Sequence, residues 1–252
     1  MATGNDHEHG ETSGRGDRAP VLDGPGSSDY ERYLRTNELL ALQKTPEQRV
    51  HRDELLFQVT HQSSELWLKL VGSELAEATS SIGRDDLGRA RRLLHRAVIA
   101  VGFVTDQLAM LEELSPYEYQ QLRRALGHGS GFDSPGFAGV RRLLPPLEKA
   151  FDRRLELSGT DLVGLYADAT SHEQLYQLAE ELVSFDARLQ LWRVRHYRVV
   201  ARIVGDHVVG TQGTPVEVLG RLVHAVAFPK LWEVRNALTT QADLLPSRGG
   251  EA

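Results

Sequence analysis

The chain contains no cysteine. A disulfide framework, a thiol nucleophile, a cysteine-ligated zinc, an iron–sulfur cluster and a thiolate-ligated haem are therefore excluded. It also has no basic excess: 29 Lys and Arg stand against 35 Asp and Glu, a formal net charge of −6 over 252 residues. That balance gives neither nucleic acid nor an anionic membrane an electrostatic footprint to bind. No apolar run is expected to reach the ~18 residues of a membrane span. The N-terminus lacks the apolar core of a secretory signal. Strand signals are scarce, with no clean apolar–polar alternation and few β-branched clusters outside helical windows. What is present, 40% hydrophobic and 25% charged residues, is the composition of a globular protein, and the expected compartment is the cytoplasm.

Residues 1–28 are rich in Gly, Ser, Asp and Pro and nearly free of large apolar side chains. Such a segment cannot bury enough surface to offset its ordering entropy, so disorder is expected there. His7 and His9 flank an acid within it, a pattern more in keeping with a soluble tail than with a metal site. From Tyr30 onward helical periodicity dominates, over roughly 30–43, 47–79, 85–114, 116–126, 136–156, 161–167, 171–204 and 214–237. Breaks are expected at Ser115-Pro116, Gly127–Gly136, Pro145-Pro146 and Gly205–Pro215. Ser171 is placed as an N-cap, with Gln174 as its capping-box partner. The expected organisation is a disordered segment at 1–28, one all-α domain over 29–240 and a flexible tail at 241–252.

Two histidines sit where ordinary surface histidines do not. At 100° per residue, Leu182, Phe185, Leu189, Trp192, His196, Val199, Val200 and Ile203 share one face of the helix 182–204, with His196 near its middle. A titratable ring in an apolar stripe must be neutral and either hydrogen-bonded or ligating, because burying it bare is costly. It reads either as a core histidine satisfied by a carbonyl or as an axial ligand to a haem iron. Along residues 55–70, Leu55, Leu56, Val59, Leu66, Trp67 and Leu70 are expected to form the main core face. Phe57, His61, Ser64 and Leu68 form a second, mixed stripe. A histidine there could hydrogen-bond a ligand or carry a proton. Glu65 could add a metal ligand, but the absence of Glu-x-x-His pairs argues against a di-iron bundle. Tyr119 and Arg123 stand at i, i+4 on one helix, either on a solvated face or where the arginine fork can grip a carboxylate. The glycine-containing loops at 129–134 and 210–214 offer backbone amides and hydroxyls but lack the Gly-Lys-Ser/Thr ending of a phosphate-binding loop.

Taken in order, Tyr30-Glu-Arg-Tyr33-Leu34, HRDELLFQVTHQSSELWLKL (51–70), Tyr119-x-x-Leu-Arg123, Ser130-Gly-Phe-Asp-Ser134, Trp192-Arg-x-x-His196 and Gly210-Thr211 resemble the tryptophan 2,3-dioxygenase family. The resemblance covers residues 30 to about 235. It implies an all-α, helical-bundle haem domain of that type, a homotetramer or homodimer, binding haem b and opening the indole ring of L-tryptophan with O₂ to give an N-formylkynurenine-type product. It also implies roles. His196 matches the axial ligand of the haem iron, and His61 the catalytic-side residue that hydrogen-bonds the indole nitrogen. Arg123 matches the partner of the substrate carboxylate, and Thr211 the loop hydroxyl near the amino-acid end. Phe57, Tyr119, Ser130 and Gly131 match pocket-lining positions. Tyr30, Tyr33 and Leu34 match a helix that reaches into a neighbouring subunit's site.

The sequence departs from the family pattern in four places. Asp133 stands where an amide is usual, and the Gly-rich loop reads Gly210-Thr-Gln212-Gly-Thr214 with one extra residue between His196 and Thr211. Leu108 replaces an aromatic residue, and the stretch from Ser130 to His196 is shorter by tens of residues. These departures leave room for a substituted tryptophan as substrate. They also leave room for monooxygenation to a hydroxylated indole or 2-oxindole in secondary metabolism, which would need an external reductant. A non-catalytic haem- or indole-binding protein is a further reading, disfavoured because sensing haem requires neither His61 nor Arg123.

Overall fold

The protein is described from a computed structural model over residues 19–210 and 212–243. The expectations for residues 1–18, including His7 and His9, for Thr211 and for positions 244–252 lie outside the described residues. The chain divides into two compact units, residues 1–45 and 46–252.

In the first unit, α1 (Asp29–Leu34) and α2 (Thr36–Leu40) are joined at Arg35, whose φ of 54° lies in the left-handed region. Ser28 caps α1 by accepting the Glu31 N–H. The preceding residues carry no helix but are tied to α1: Asp29 Oδ1 accepts the N–H groups of Val21 and Leu22, and Arg32 donates to the Gly26 and Leu22 carbonyls.

The second unit is all-α, with no strand among its described residues beyond an isolated bridge between Val209 and Pro215. Its elements are α3 (Glu54–Gly83), α4 (Leu87–Asp106), α5 (Leu108–Glu112), α6 (Pro116–Ala125), α7 (Pro135–Leu157), α8 (Leu162–Ala167), α9 (Glu173–Ile203), α10 (Glu217–Leu222) and α11 (Pro229–Asp243). Four long helices make the bundle: α3 packs between α4 and α7, and α9 lies against α4. Leu68, Val71, Leu75, Leu94, Ala97, Val101, Leu147, Phe151, Leu178, Leu182 and Phe185 fill its core. A second apolar cluster of Leu108, Leu111, Leu114, Leu122, Val199 and Ile203 closes one end, with Leu56, Phe57, Tyr119 and Trp192 against it.

Several expectations need correction. Pro145 and Pro146 do not break α7, which runs through both. The buried row of Val140, Leu147, Phe151 and Leu155 pins both halves to the core, and that burial outweighs the lost backbone hydrogen bonds. Ser171 is not an N-cap: His172 holds that position without a side-chain cap, and the Ser171 N–H instead donates to Asp168. The core face of α3 is Leu68, Val71, Leu75, Ala78 and Ile82, whereas Val59 and Leu66, placed inside by periodicity, are 48% and 53% exposed. The stripe over 85–114 divides at Gln107, whose side chain joins Ser63 and Ser64 of α3 at 2.5 Å each. Leu87–Glu112 is long and apolar enough to match a membrane span, with a mean hydropathy of 1.3 over 18 residues. However, 56% of that window is buried inside the protein, so it reads as the central core helix.

Two acids, one buried and one half-buried, set the ends of the bundle. Asp186 is fully buried, and its Oδ2 accepts the N–H groups of Ala227, Phe228 and the Trp232 indole, anchoring the start of α11 to α9. Glu65 accepts from Ser134 Oγ and the Gly136 N–H, fixing the start of α7 on α3. The Glu65 carboxylate thus serves α7 rather than a metal.

Candidate functional site

Three helices bring the flagged residues to the second apolar cluster. The start of α3 supplies Phe57 and His61, α6 supplies Tyr119 and Arg123, and the last turns of α9 supply Trp192 and His196. Ser115 makes α6 possible, with a reciprocal capping box to Glu118 and Pro116 at the first helical position.

His196 is partly buried and stacks on Trp192, with ring centroids 4.9 Å apart and planes 11° from parallel. Burial pushes its pKa down to about 4, and a nearby His61 adds to the same effect. The imidazole is therefore neutral at pH 7. Among the described residues neither ring nitrogen is hydrogen-bonded to a carbonyl or a side chain. The Trp192 indole N–H is likewise buried and unpartnered, although buried donors are ordinarily satisfied.

His61 stacks on Phe57 at 4.0 Å, and its Nδ1 lies 2.7 Å from the Phe57 carbonyl. A carbonyl can only accept, so Nδ1 carries the proton, and in the neutral ring Nε2 is a free acceptor. The residue is exposed at the surface, yet desolvation by the protein around it holds its pKa below the ordinary histidine value. The Phe57 hydrogen bond and Glu65 oppose that effect less strongly.

Tyr119 is 6.5 Å from the Phe57 ring, and burial raises its phenol pKa against the opposing Arg123 charge. Arg123 is half-buried and spends one donor, Nη2, on the Val209 carbonyl at 2.8 Å. Ser130 caps the short turn Gly131–Asp133: its hydroxyl accepts the Phe132 N–H, and Asp133 accepts the Ser130 N–H. The Gln212 amide then donates to Asp133 Oδ2 at 2.6 Å, linking the two loops.

His61, Phe57, Tyr119, Arg123 and His196 thus share one end of the bundle, while Ser130 and Gly131 join them through the loop contacts. Thr211 lies outside the described residues. Tyr30, Tyr33 and Leu34 sit on α1 of the first unit, 68%, 78% and 45% exposed. Sequence reasoning missed the Asp133–Gln212 contact and the Val209 carbonyl, since neither pairing follows from spacing along the chain. The Ser-x-x-Asp capping pattern at 130–133 was its one usable signal. It also missed a cluster of His51, Asp53 and Glu118, whose ligand atoms lie within 4.8 Å of one another. Glu118 is committed to capping α6 and Asp53 faces Arg52, so the cluster reads as part of the α3–α6 joint.

The arrangement is an apolar wall carrying one unpartnered neutral imidazole, a second neutral imidazole with a free acceptor, and an arginine at the edge. A haem fits this donor set. Haem iron takes a neutral imidazole as axial ligand, and the second apolar cluster supplies the low-polarity surround.

Comparisons with known proteins agree. The family model described as tryptophan 2,3-dioxygenase matches residues 16–150. The tryptophan 2,3-dioxygenase of Kineococcus radiotolerans is 34% identical over 272 aligned positions, which take in 86% of this chain and 94% of that protein. Those of Myxococcus xanthus and Bacillus thuringiensis are 31% and 32% identical, covering 87% and 83% of this chain and 92% of each relative. An alignment of 272 positions exceeds the 252 residues of the chain, so it must open gaps in this chain.

Proposed function

The chain belongs to the tryptophan 2,3-dioxygenase family, and on that premise we propose that it is a haem-dependent enzyme opening the indole ring of L-tryptophan, or of a substituted tryptophan, with O₂. The observation that carries this reading is His196: a neutral, unpartnered imidazole in an apolar wall, stacked on a tryptophan whose N–H is also unpartnered. His196 would hold the haem, and the bound group would supply the iron at which O₂ is activated.

The protein's own residues position the substrate. With Nη2 on Val209, the remaining guanidinium donors of Arg123 are available to a carboxylate, which accepts two parallel N–H bonds. His61 Nε2, left as an acceptor by the Nδ1–Phe57 bond, takes the indole N–H and orients the C2–C3 bond. Its lowered pKa keeps that lone pair free at neutral pH. Phe57, Tyr119 and the apolar cluster exclude water from the ring. Fixing both ends of the substrate converts a diffusional encounter into a single oriented one, where much of an enzyme's rate advantage arises. Both oxygen atoms enter the product, so ring opening needs no external reductant. We place the protein in the cytoplasm as a homotetramer or homodimer, with α1 of one copy completing the site of another. The exposed Tyr30, Tyr33, Leu40 and Leu42 support that placement.

Turnover of tryptophan under ¹⁸O₂, followed by mass spectrometry, tests the reading. Two labelled atoms in a ring-opened product are expected; one labelled atom would mean monooxygenation. His196→Ala should lose the haem absorption band while far-UV circular dichroism stays helical. Retention of the wild-type band and haem stoichiometry would remove His196 as the ligand.

A further inference from the structure

Residues 205–210 and 212–216 lie in a compact excursion between α9 and α10. Gly205 and Gly213, at φ of 109° and 73°, allow its reversals, and Val209 pairs with Pro215. Inside it, Gly210 N–H donates to Thr214 O, Gly213 N–H to Gly210 O and Val216 N–H to Val208 O. His207 faces Glu217 of α10 at 3.4 Å, and two further side-chain contacts tie its described residues to other elements. Arg123 of α6 holds the Val209 carbonyl at 2.8 Å, and Asp133 holds the Gln212 amide at 2.6 Å. Asp133 is itself a fixed post: its Oδ2 also accepts the Ser130 N–H, and the next residue, Ser134, is bonded to Glu65 of α3. Both members of the pair are positions where this sequence departs from the pattern it resembles. A glycine at 212 has no side-chain donor, so the contact exists only because this chain carries Gln212 opposite a carboxylate.

We infer that Asp133 and Gln212 form a clasp that positions the 205–216 loop against Arg123, and through Arg123 sets how tightly the anionic end of the substrate is gripped. The second half of this inference rests on the function proposed above; the first half does not. The physical link is the shared arginine. A loop that drifts takes the Val209 carbonyl with it, and the guanidinium then loses the acceptor that fixes its orientation. The clasp acts on binding rather than on the reacting ring, so it belongs in KM and not in kcat. Asp133 and Gln212 are positioning residues that touch no reacting atom.

The test uses the haem-loaded enzyme, with amide hydrogen exchange of Gly210, Gly213 and Val216 measured without substrate beside tryptophan kinetics. Gln212→Ala is the cleaner probe because Asp133 also caps its own turn. An exposed amide–carboxylate bond contributes modestly, so exchange and KM should each rise about 3- to 10-fold with kcat unchanged. Gln212→Glu sets two carboxylates face to face and should exceed that effect, with partial relief in high salt. Combining Asp133→Asn with Gln212→Glu exchanges donor and acceptor and should recover part of what Gln212→Glu loses in exchange and KM, the recovery being partial because Asp133 Oδ2 also accepts the Ser130 N–H. In the Asp133→Ala, Gln212→Ala double variant the effects should not multiply. Unchanged loop exchange in Gln212→Ala, or fully multiplicative effects in the double variant, overturns the clasp. A loosened loop with KM unchanged overturns the grip alone. A wild type that never turns over tryptophan, yet whose loop loosens in Gln212→Ala, overturns the proposed function and the grip while the clasp stands.

Discussion

Arg123 and His61 carry the sharpest consequences at the scale of single residues. Arg123 is half-buried and partly committed to Val209, so its substitution sits at the lower end of the range for breaking a charged pair, ~2–3 kcal/mol. Arg123→Leu should therefore lower kcat/KM for tryptophan roughly 30- to 150-fold, at about 1.4 kcal/mol per tenfold. Turnover of 3-methylindole, which has no carboxylate, should change only a few-fold. Equal losses for both substrates would make the arginine structural. The pH dependence follows from His61. Its folded pKa lies below 6.5 because burial disfavours the charged ring, and only the neutral form offers Nε2 as an acceptor. kcat/KM for tryptophan should be flat near neutrality and fall only on the acid side of the ordinary histidine range. The acid limb should disappear in His61→Ala and weaken for 1-methyltryptophan, which has no indole N–H. All three of these polar residues are legible in the sequence itself, His196 as a polar ring inside an apolar stripe, and His61 and Arg123 by spacing. The tautomer of His61 is not, because it depends on which backbone carbonyl the ring meets.

At the scale of elements, the joint between α3 and α7 holds the site together, since it fixes the turn bearing Ser130 and Asp133 relative to His61. Gly136 sits at that joint. A Cβ there would come within 2.6 Å of both Glu65 Oε2 and Leu68 Cβ, closer than side-chain contacts permit. Overpacking of this kind costs about 1–3 kcal/mol. Gly136→Ala should lower the thermal midpoint by about 2–4 °C for each kcal/mol lost. A midpoint equal to the wild type would show that α7 slides on α3 without cost. Helical periodicity located nearly every element, but it misjudged two features for one reason. The α3 core face and the proline pair in α7 were both decided by what lies opposite. Val59 and Leu66 are as apolar as Leu68 and Val71, and only the position of α4 and α7 selects which stripe is buried.

For the whole molecule, the question is what covers the remaining apolar surface. Val59, Leu66, Ile99, Phe103 and Met110 on α3, α4 and α5 are 45–53% exposed, as are larger fractions of Tyr30, Tyr33 and Leu40 in the first unit. Scattered exposed apolar residues are normal, but adjoining helices that each present several are the usual mark of an interface. Light scattering should report a dimer or tetramer, and Leu66→Glu with Phe103→Glu should shift it toward monomer. Deleting residues 29–43 should reduce tryptophan turnover well beyond any effect on the helical content of the remainder. A monomer with full activity would exclude a site shared between copies.

The sequence alone determined that the chain is all-helical in class, that it lacks thiol chemistry, and that two histidines and an arginine stand out from the patterns of their own helices. Each of these is a local property, set by residue type and by periodicity along one helix. Only the tertiary structure decided that α3, α6 and α9 converge on one apolar cluster, that His61 is left with a free Nε2, and that the Gln212 and Asp133 loops meet. The loop contacts depend on pairs distant in the chain, 79 residues apart for Gln212 and Asp133 and 86 for Arg123 and Val209, and the His61 tautomer on the rotamer that turns its ring onto the Phe57 carbonyl. No periodicity in a sequence encodes such pairs, because they arise when the buried faces of the bundle have settled which helices stand side by side.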